Sequence, residues 1–158
     1  MPKQALRDAI VRQLQTELDL LTQAALATHA EATDEENKAE DKYDTRGLEA
    51  SYLAHGQSKA AEEAAQAVAQ FTALPLRDFS PGEPISLGAL VRLEGRDRSR
   101  YFIGPRAGGM EVMDGGDPVL VITPQSPLGR QLMGRKQGDT LQLELGGQRS
   151  EFTVASVA

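Results

Sequence analysis

The 158-residue chain is long enough for one compact domain, or for a small domain with an extension. It has no cysteine, which excludes disulfides and thiolate metal sites and suits a reducing, cytoplasmic setting. A net charge of −6 argues against binding nucleic acid through bulk electrostatics, and no apolar run approaches the roughly 18 residues that a membrane span needs.

The charge is unevenly placed. Residues 1–74 hold 7 of the 17 basic and 13 of the 23 acidic side chains, so the excess of acid lies in the first half. Most of it is crowded into one stretch, where Glu31, Asp34, Glu35, Glu36, Glu40, Asp41 and Asp44 face only Lys38 and Lys42.

That first half reads as helix. It has no proline between Lys3 and Leu74, contains only Gly47 and Gly56, and is rich in Ala, Gln, Glu and Leu. Val11, Leu14, Leu18, Leu21, Ala25 and Thr28 recur at coiled-coil spacing, as do Ala54, Gln57, Ala61, Ala64, Val68 and Phe71. The two seams match as an antiparallel hairpin with Val11 opposite Phe71, Leu14 opposite Val68, Leu18 opposite Ala64 and Leu21 opposite Ala61. Large residues then meet small ones, and the chain reverses near residue 41, inside the acidic stretch. The remaining faces carry Arg7, Arg12, Glu17, Asp19, Lys59, Glu62 and Glu63, which predicts a monomeric hairpin and not a scaffold that pairs with a second copy.

Leu74-Pro75 and Ser80-Pro81-Gly82-Glu83-Pro84 stop the helix. The expected domains are therefore a hairpin over 1–74, a linker over 75–84 and a C-terminal domain over 85–158. Beyond the linker the apolar period changes to two. Strands are expected at Ala89–Glu94, Arg100–Ile103, Met110–Met113, Val119–Thr123, Thr140–Leu145 and Ser150–Val157, the last two joined by Gly146-Gly147. Between them lies a short helix with Ser126 as N-cap, Pro127 in the first turn and Gly134 past its end. The fold class is α+β: a helical hairpin, then a bent antiparallel sheet with one helix.

Leu87-Gly88-Ala89-Leu90-Val91, Ser126-Pro127-Leu128-Gly129, Leu132, Gly134 and Gly138-Asp139 resemble the C-terminal domain of the bacterial GreA/GreB transcript-cleavage factors. The hairpin with an acidic tip is similar to the other half of that architecture. The resemblance implies an FKBP-like C-terminal domain that docks on the rim of the secondary channel of RNA polymerase, with Gln125, Ser126, Pro127 and Leu128 at the contact. It implies a hairpin that enters the channel and brings Asp34, Glu35, Glu36, Glu40, Asp41 and Asp44 towards the polymerase Mg²⁺ and the nascent RNA 3′ end. Such a factor has no active site and no cofactor of its own; it acts with the metal ions of the polymerase. Carboxylates suit that task because Mg²⁺ prefers hard oxygen ligands.

The tip departs from the cleaving pattern, an Asp, two spacers and Glu-Asn-Ala-Glu-Tyr. With Tyr43 on the tyrosine, Glu36 stands at the Asp, Ala39 at the first Glu and Lys42 at the second. A gap brings Asp34, Glu40 or Asp41 into place instead. Both a cleavage factor and a non-cleaving regulator that competes for the channel fit this sequence. An FKBP-like prolyl isomerase fits less well, since such pockets are lined with aromatic residues and only Tyr101, Phe102 and Phe152 follow Pro84. Arg96, Arg98 and Arg100 form a candidate RNA contact. His29 and His55 are isolated, so no metal site of the chain's own is expected.

Overall fold

The computed structural model describes residues 2–33 and 46–158. Two long helices, α1 (Pro2–Thr33) and α2 (Arg46–Ala73), precede β1 (Leu90–Glu94), β2 (Arg98–Ile103), β3 (Glu111–Asp114), β4 (Asp117–Ile122), α3 (Pro127–Leu132), β5 (Thr140–Leu145) and β6 (Gln148–Val157). The expected order of a helical half and a sheet half is the observed one. The acidic tip lies outside the described residues.

The chain divides into two compact units, Val11–Ala69 on the one hand and Met1–Ile10 with Gln70–Ala158 on the other. In the helical unit, burial follows the two seams. On α1, Leu14 and Ala25 are buried and Val11, Leu18, Leu21 and Thr28 half-buried, while Arg12, Glu17 and Asp19 between them are exposed. On α2, Ala64 is buried and Gln57, Ala61 and Val68 half-buried, whereas Lys59, Glu62 and Glu63 are exposed. Leu20 and Leu26 are exceptions to the polar outer face, 64% and 65% exposed.

The second unit is built on a six-stranded sheet in the order β3-β4-β2-β1-β6-β5. Four pairings are antiparallel, but β2 and β4 run parallel, with Tyr101 opposite Leu120 and Ile103 opposite Ile122. The expected antiparallel character of the sheet is thus the observed one, with a single parallel pairing that the sequence did not announce. The physical reason is a second tight hairpin, Gly115-Gly116 with φ of 63° and 89°, which folds β3 against the outer side of β4. That hairpin leaves β4 beside β2 and pointing the same way. Gly146-Gly147, with φ of 62° and 79°, makes the expected turn between β5 and β6; both turns need two residues at positive φ, which glycine supplies without a steric cost.

One sheet face carries the main core, with Val91, Leu93, Tyr101, Ile103, Leu141, Leu143, Phe152 and Val154 packed with Leu132 of α3. Phe79 belongs to the same core, although it falls in the segment read as linker. On the alternate register Phe102 stacks on Phe71 from the end of α2, ring centroids 6.4 Å apart. Leu6 and Ile10 from the start of α1 are buried in this unit, at 1% and 0% exposure.

Candidate functional site

The expected docking motif is held by its own local chemistry. Ser126 has extended backbone angles, φ −65° and ψ 157°, and caps α3. Its hydroxyl accepts from the Gly129 backbone N–H at 3.0 Å and donates to the Thr123 carbonyl at 2.7 Å. A serine hydroxyl serves both ends at once, satisfying one of the free donors at the helix start. Pro127 follows in the first turn, where the missing N–H costs nothing. Gly129 is buried against Thr123, and a Cβ there would lie 1.9 Å from the Thr123 carbonyl oxygen, so no larger residue fits.

The helix end is pinned as firmly. Gly134, at φ 83°, donates to the Ile85 carbonyl at 3.0 Å, and Ile85 donates to the Arg135 carbonyl at 2.7 Å. Leu128 is half-buried against the main core, and Pro127 and Gln125 are exposed.

Beside α3 opens a groove of about 390 Å³. Leu120 and Ile122 border it from β4, Ser126, Pro127, Leu128 and Gln131 from the start and face of α3, and Gln142, Leu143 and Glu144 from β5, with Ile122 and Leu143 themselves buried. Three of the four expected docking residues thus border one concavity, and Gln125 does not line it. Gln131, Gln142 and Glu144 were not expected. Gln131 was legible, four residues after Pro127 and so on the same helical face. The two β5 residues were not, since only the curl of the sheet brings an edge strand beside a helix that precedes it in the chain.

The arginine group does not form a basic patch. Arg100 is committed to the β3–β4 turn: it pairs with the Asp114 carboxylate at 2.9 Å and donates to the carbonyls of Asp114 at 2.7 Å and Asp117 at 3.0 Å. Arg98 is exposed, with Glu94 at 3.9 Å, and Glu94 also lies 3.7 Å from Arg92. Arg96 turns to Asp97 at 3.5 Å and to the side chain of Gln148. A second groove, of about 530 Å³, is lined by Arg92, Arg98 and Arg100 but also by Glu111 and Asp117. Its charge is nearly balanced, which removes the electrostatic drive for a phosphate backbone.

Asp34, Glu35, Glu36, Glu40, Asp41 and Asp44 lie outside the described residues. Among the described residues no three His, Cys, Asp or Glu side chains come together in a way that could hold a metal ion, and no helix is long and apolar enough to cross a membrane.

Residues 82–158 match the family model described as "Transcription elongation factor, GreA/GreB, C-term". Over 154 residues the chain is 28% identical to "Transcription inhibitor protein Gfh1" of Thermus thermophilus, covering 95% of this chain and 91% of that protein. It is 25% identical to the protein of the same name from Thermus aquaticus, with 95% and 90% covered. Among solved structures, that of GreA factor homolog 1 of Thermus thermophilus aligns over 94% of each chain, with 21% identity and a TM-score of 0.40. A prokaryotic transcription elongation factor GreA/GreB from Nitrosomonas europaea aligns over 70% of this chain and 91% of its own, with 19% identity and a TM-score of 0.37.

Proposed function

We propose that this chain, whose residues 82–158 match the GreA/GreB C-terminal family model, is a Gre-type factor that binds RNA polymerase at the secondary channel and modulates transcription from there. In this reading the C-terminal domain docks on the channel rim through the groove beside α3. The helical hairpin carries the acidic segment, with Glu36, Glu40 and Asp41, towards the polymerase Mg²⁺. The observation that carries the reading is a coincidence of place: Ser126, Pro127 and Leu128 line an apolar groove in the domain that the family model matches.

Of the two outcomes open at the tip, restraint of the polymerase is favoured over transcript cleavage. With Tyr43 on the tyrosine and no gap, Ala39 and Lys42 stand where the cleaving pattern has glutamates. An alanine offers Mg²⁺ no oxygen, and an ammonium repels it. The name transcription inhibitor, carried by relatives that align over 95% of this chain, points the same way.

The experiment is RNA cleavage in a purified, backtracked elongation complex. No cleavage by this protein, together with loss of the cleavage stimulated by an added Gre factor, is the expected result. Shortened transcripts that disappear when Glu36, Glu40 and Asp41 become alanine would make it a cleavage factor instead. Absence of both effects and of polymerase binding would overturn the reading.

A further inference from the structure

Three features of the hairpin fall at one level of its two helices. Gly56 is the one glycine in the interior of α2, since Gly47 lies in its first turn. A Cβ at Gly56 would have nothing within 4 Å, so no packing requires a glycine there. Glycine gives up more backbone freedom in a helix than any other residue, which makes this turn of α2 weak. Its neighbour Gln57 lies on the seam, and its side-chain oxygen Oε1 is buried without a hydrogen-bond partner among the described residues. A buried amide oxygen with no donor has lost its hydration and gained nothing in return. On α1, the Thr28 hydroxyl donates to the Ala24 carbonyl at 2.9 Å, one turn back, a bond of the kind that loosens and bends a helix. The matching of the two seams sets Gln57 against Ala25 and Ala54 against Thr28, and neither pair brings a large apolar side chain. Towards the other end the seams are filled by Leu14, Leu18, Val68 and Phe71. Thr16 makes the same kind of bond, to the Arg12 carbonyl at 3.0 Å, but from an exposed position at the level of that filled seam.

We propose that residues 24–28 of α1 and 56–57 of α2 form a hinge in the hairpin: α1 bends and α2 gives way there, while the seam of Leu14, Leu18, Val68 and Phe71 stays closed. The identity of the residues argues for a device. An alanine at 56 meets no neighbour and would strengthen the helix. A methionine at 57, of similar length, would leave no oxygen unpaired. The chain carries instead two adjacent residues that weaken the same turn, opposite a turn of α1 that is itself loosened by Thr28. The acidic stretch that begins at Glu31 lies beyond this level in the sequence, so a bend here re-aims it and leaves the base of the hairpin in place. The hinge is a property of the chain alone and does not depend on the docking reading.

The test is backbone amide hydrogen exchange of the full-length protein, compared with Gly56→Ala, Gln57→Met and the double variant. In the parent, the amides of residues 25–28 and 57–61 are expected to exchange about tenfold faster than those of residues 14–18 and 64–68. Dilute denaturant should change the fast rates little, since a local opening exposes little surface. Gly56→Ala and Gln57→Met should each slow the hinge amides roughly fivefold, and the double variant more than either, with the other helical amides within about twofold of the parent. Equal exchange at the two levels in the parent would overturn the hinge. So would a steady rise in rate from Leu14 to Thr33 with no step near Ala24, which is fraying from the far end. Uniform slowing of all helical amides in the variants would mean a gain in global stability and would overturn it as well. If Gln57→Met fails to fold, Gly56→Ala decides alone, because its methyl group meets open space.

Discussion

Lys3 reaches the carbonyl oxygen of Arg77 across 74 positions of the chain, its Nζ donating at 2.6 Å. The same nitrogen donates to the Ala158 carbonyl at 3.1 Å and sits 4.8 Å from the centroid of the Phe79 ring, which the Arg77 guanidinium approaches at 4.0 Å. Only 4% of Lys3 is exposed. One side chain thus ties the first turn of α1 to the segment after α2 and to the end of β6, and residues 1–10 belong to the sheet unit.

Replacing Lys3 with methionine keeps the apolar stem but leaves both carbonyls without this donor. The expected cost is about 2 kcal/mol, read from denaturant unfolding near neutral pH. Burial, before the raising effect of Asp78 and the lowering effect of Arg77, holds the lysine below its ordinary pKa of 10.5. Between its folded pKa and 10.5 the unfolded chain therefore binds more protons than the folded one, so this group makes stability rise with pH. The gap between the parent and Lys3→Met should widen on the alkaline side; a constant gap would contradict the burial.

Glu83 gives the opposite window. It accepts from Arg77 at 2.6 Å and from the Ser80 backbone N–H at 2.9 Å, and these bonds, the Arg77 one first, hold its carboxyl below the ordinary 4.5. A depressed carboxyl contributes fully above 4.5 and loses its contribution as pH falls through the folded value. The melting temperatures of the parent and Glu83→Gln should therefore converge as pH is lowered from about 6 to about 3. Added salt should shrink the difference at neutral pH, since Arg77 is exposed and Glu83 partly so.

Arg100 and Arg98 lie two residues apart on β2 and should behave differently. Arg100→Met removes three contacts with the β3–β4 turn and leaves the Asp114 carboxylate without its partner. About 2 kcal/mol of stability should go with it. Arg98, with 85% of its side chain exposed, should change stability by less than about 0.5 kcal/mol when made alanine. Urea titration of the two variants decides this; equal effects would argue against the clamp.

At the start of α3, Ser126→Ala removes the cap and should cost about 1 kcal/mol. Gly129→Ala forces a methyl group into the Thr123 carbonyl, and about 3 kcal/mol is expected, because backbone and helix must both move. The first variant should still fold and can be assayed for polymerase binding; the second should show a lowered midpoint in denaturant.

Local order was written in the residues themselves. The apolar spacing of Leu14, Leu18, Leu21 and Ala25, and of Ala61, Ala64 and Val68, anticipates which faces of α1 and α2 are buried, because helix periodicity converts spacing directly into direction. Ser126, Pro127 and Gly134 mark the ends of α3 through capping and φ alone, and Gly146-Gly147 marks its hairpin for the same reason. Gly115-Gly116 carries an equal signal between two strands, and it is this pair that folds β3 back on β4.

What the tertiary structure decided is what depends on groups far apart in sequence. The parallel pairing of β2 with β4 follows from where β3 folds, not from the composition of either strand. Phe79 reads as part of a proline-rich linker, and only the core shows it buried. Arg96, Arg98 and Arg100 look like one cationic loop, but acids at 94, 97 and 114 and the turn carbonyls hold them apart, and no spacing along the chain reveals such partners. Lys3 reads as a solvated terminal lysine until Arg77 and Ala158 are brought to it. The groove beside α3 was half legible, through Ser126, Pro127 and Leu128; its other wall, Gln142 and Glu144, exists only because a twisted sheet returns its edge strand to the helix.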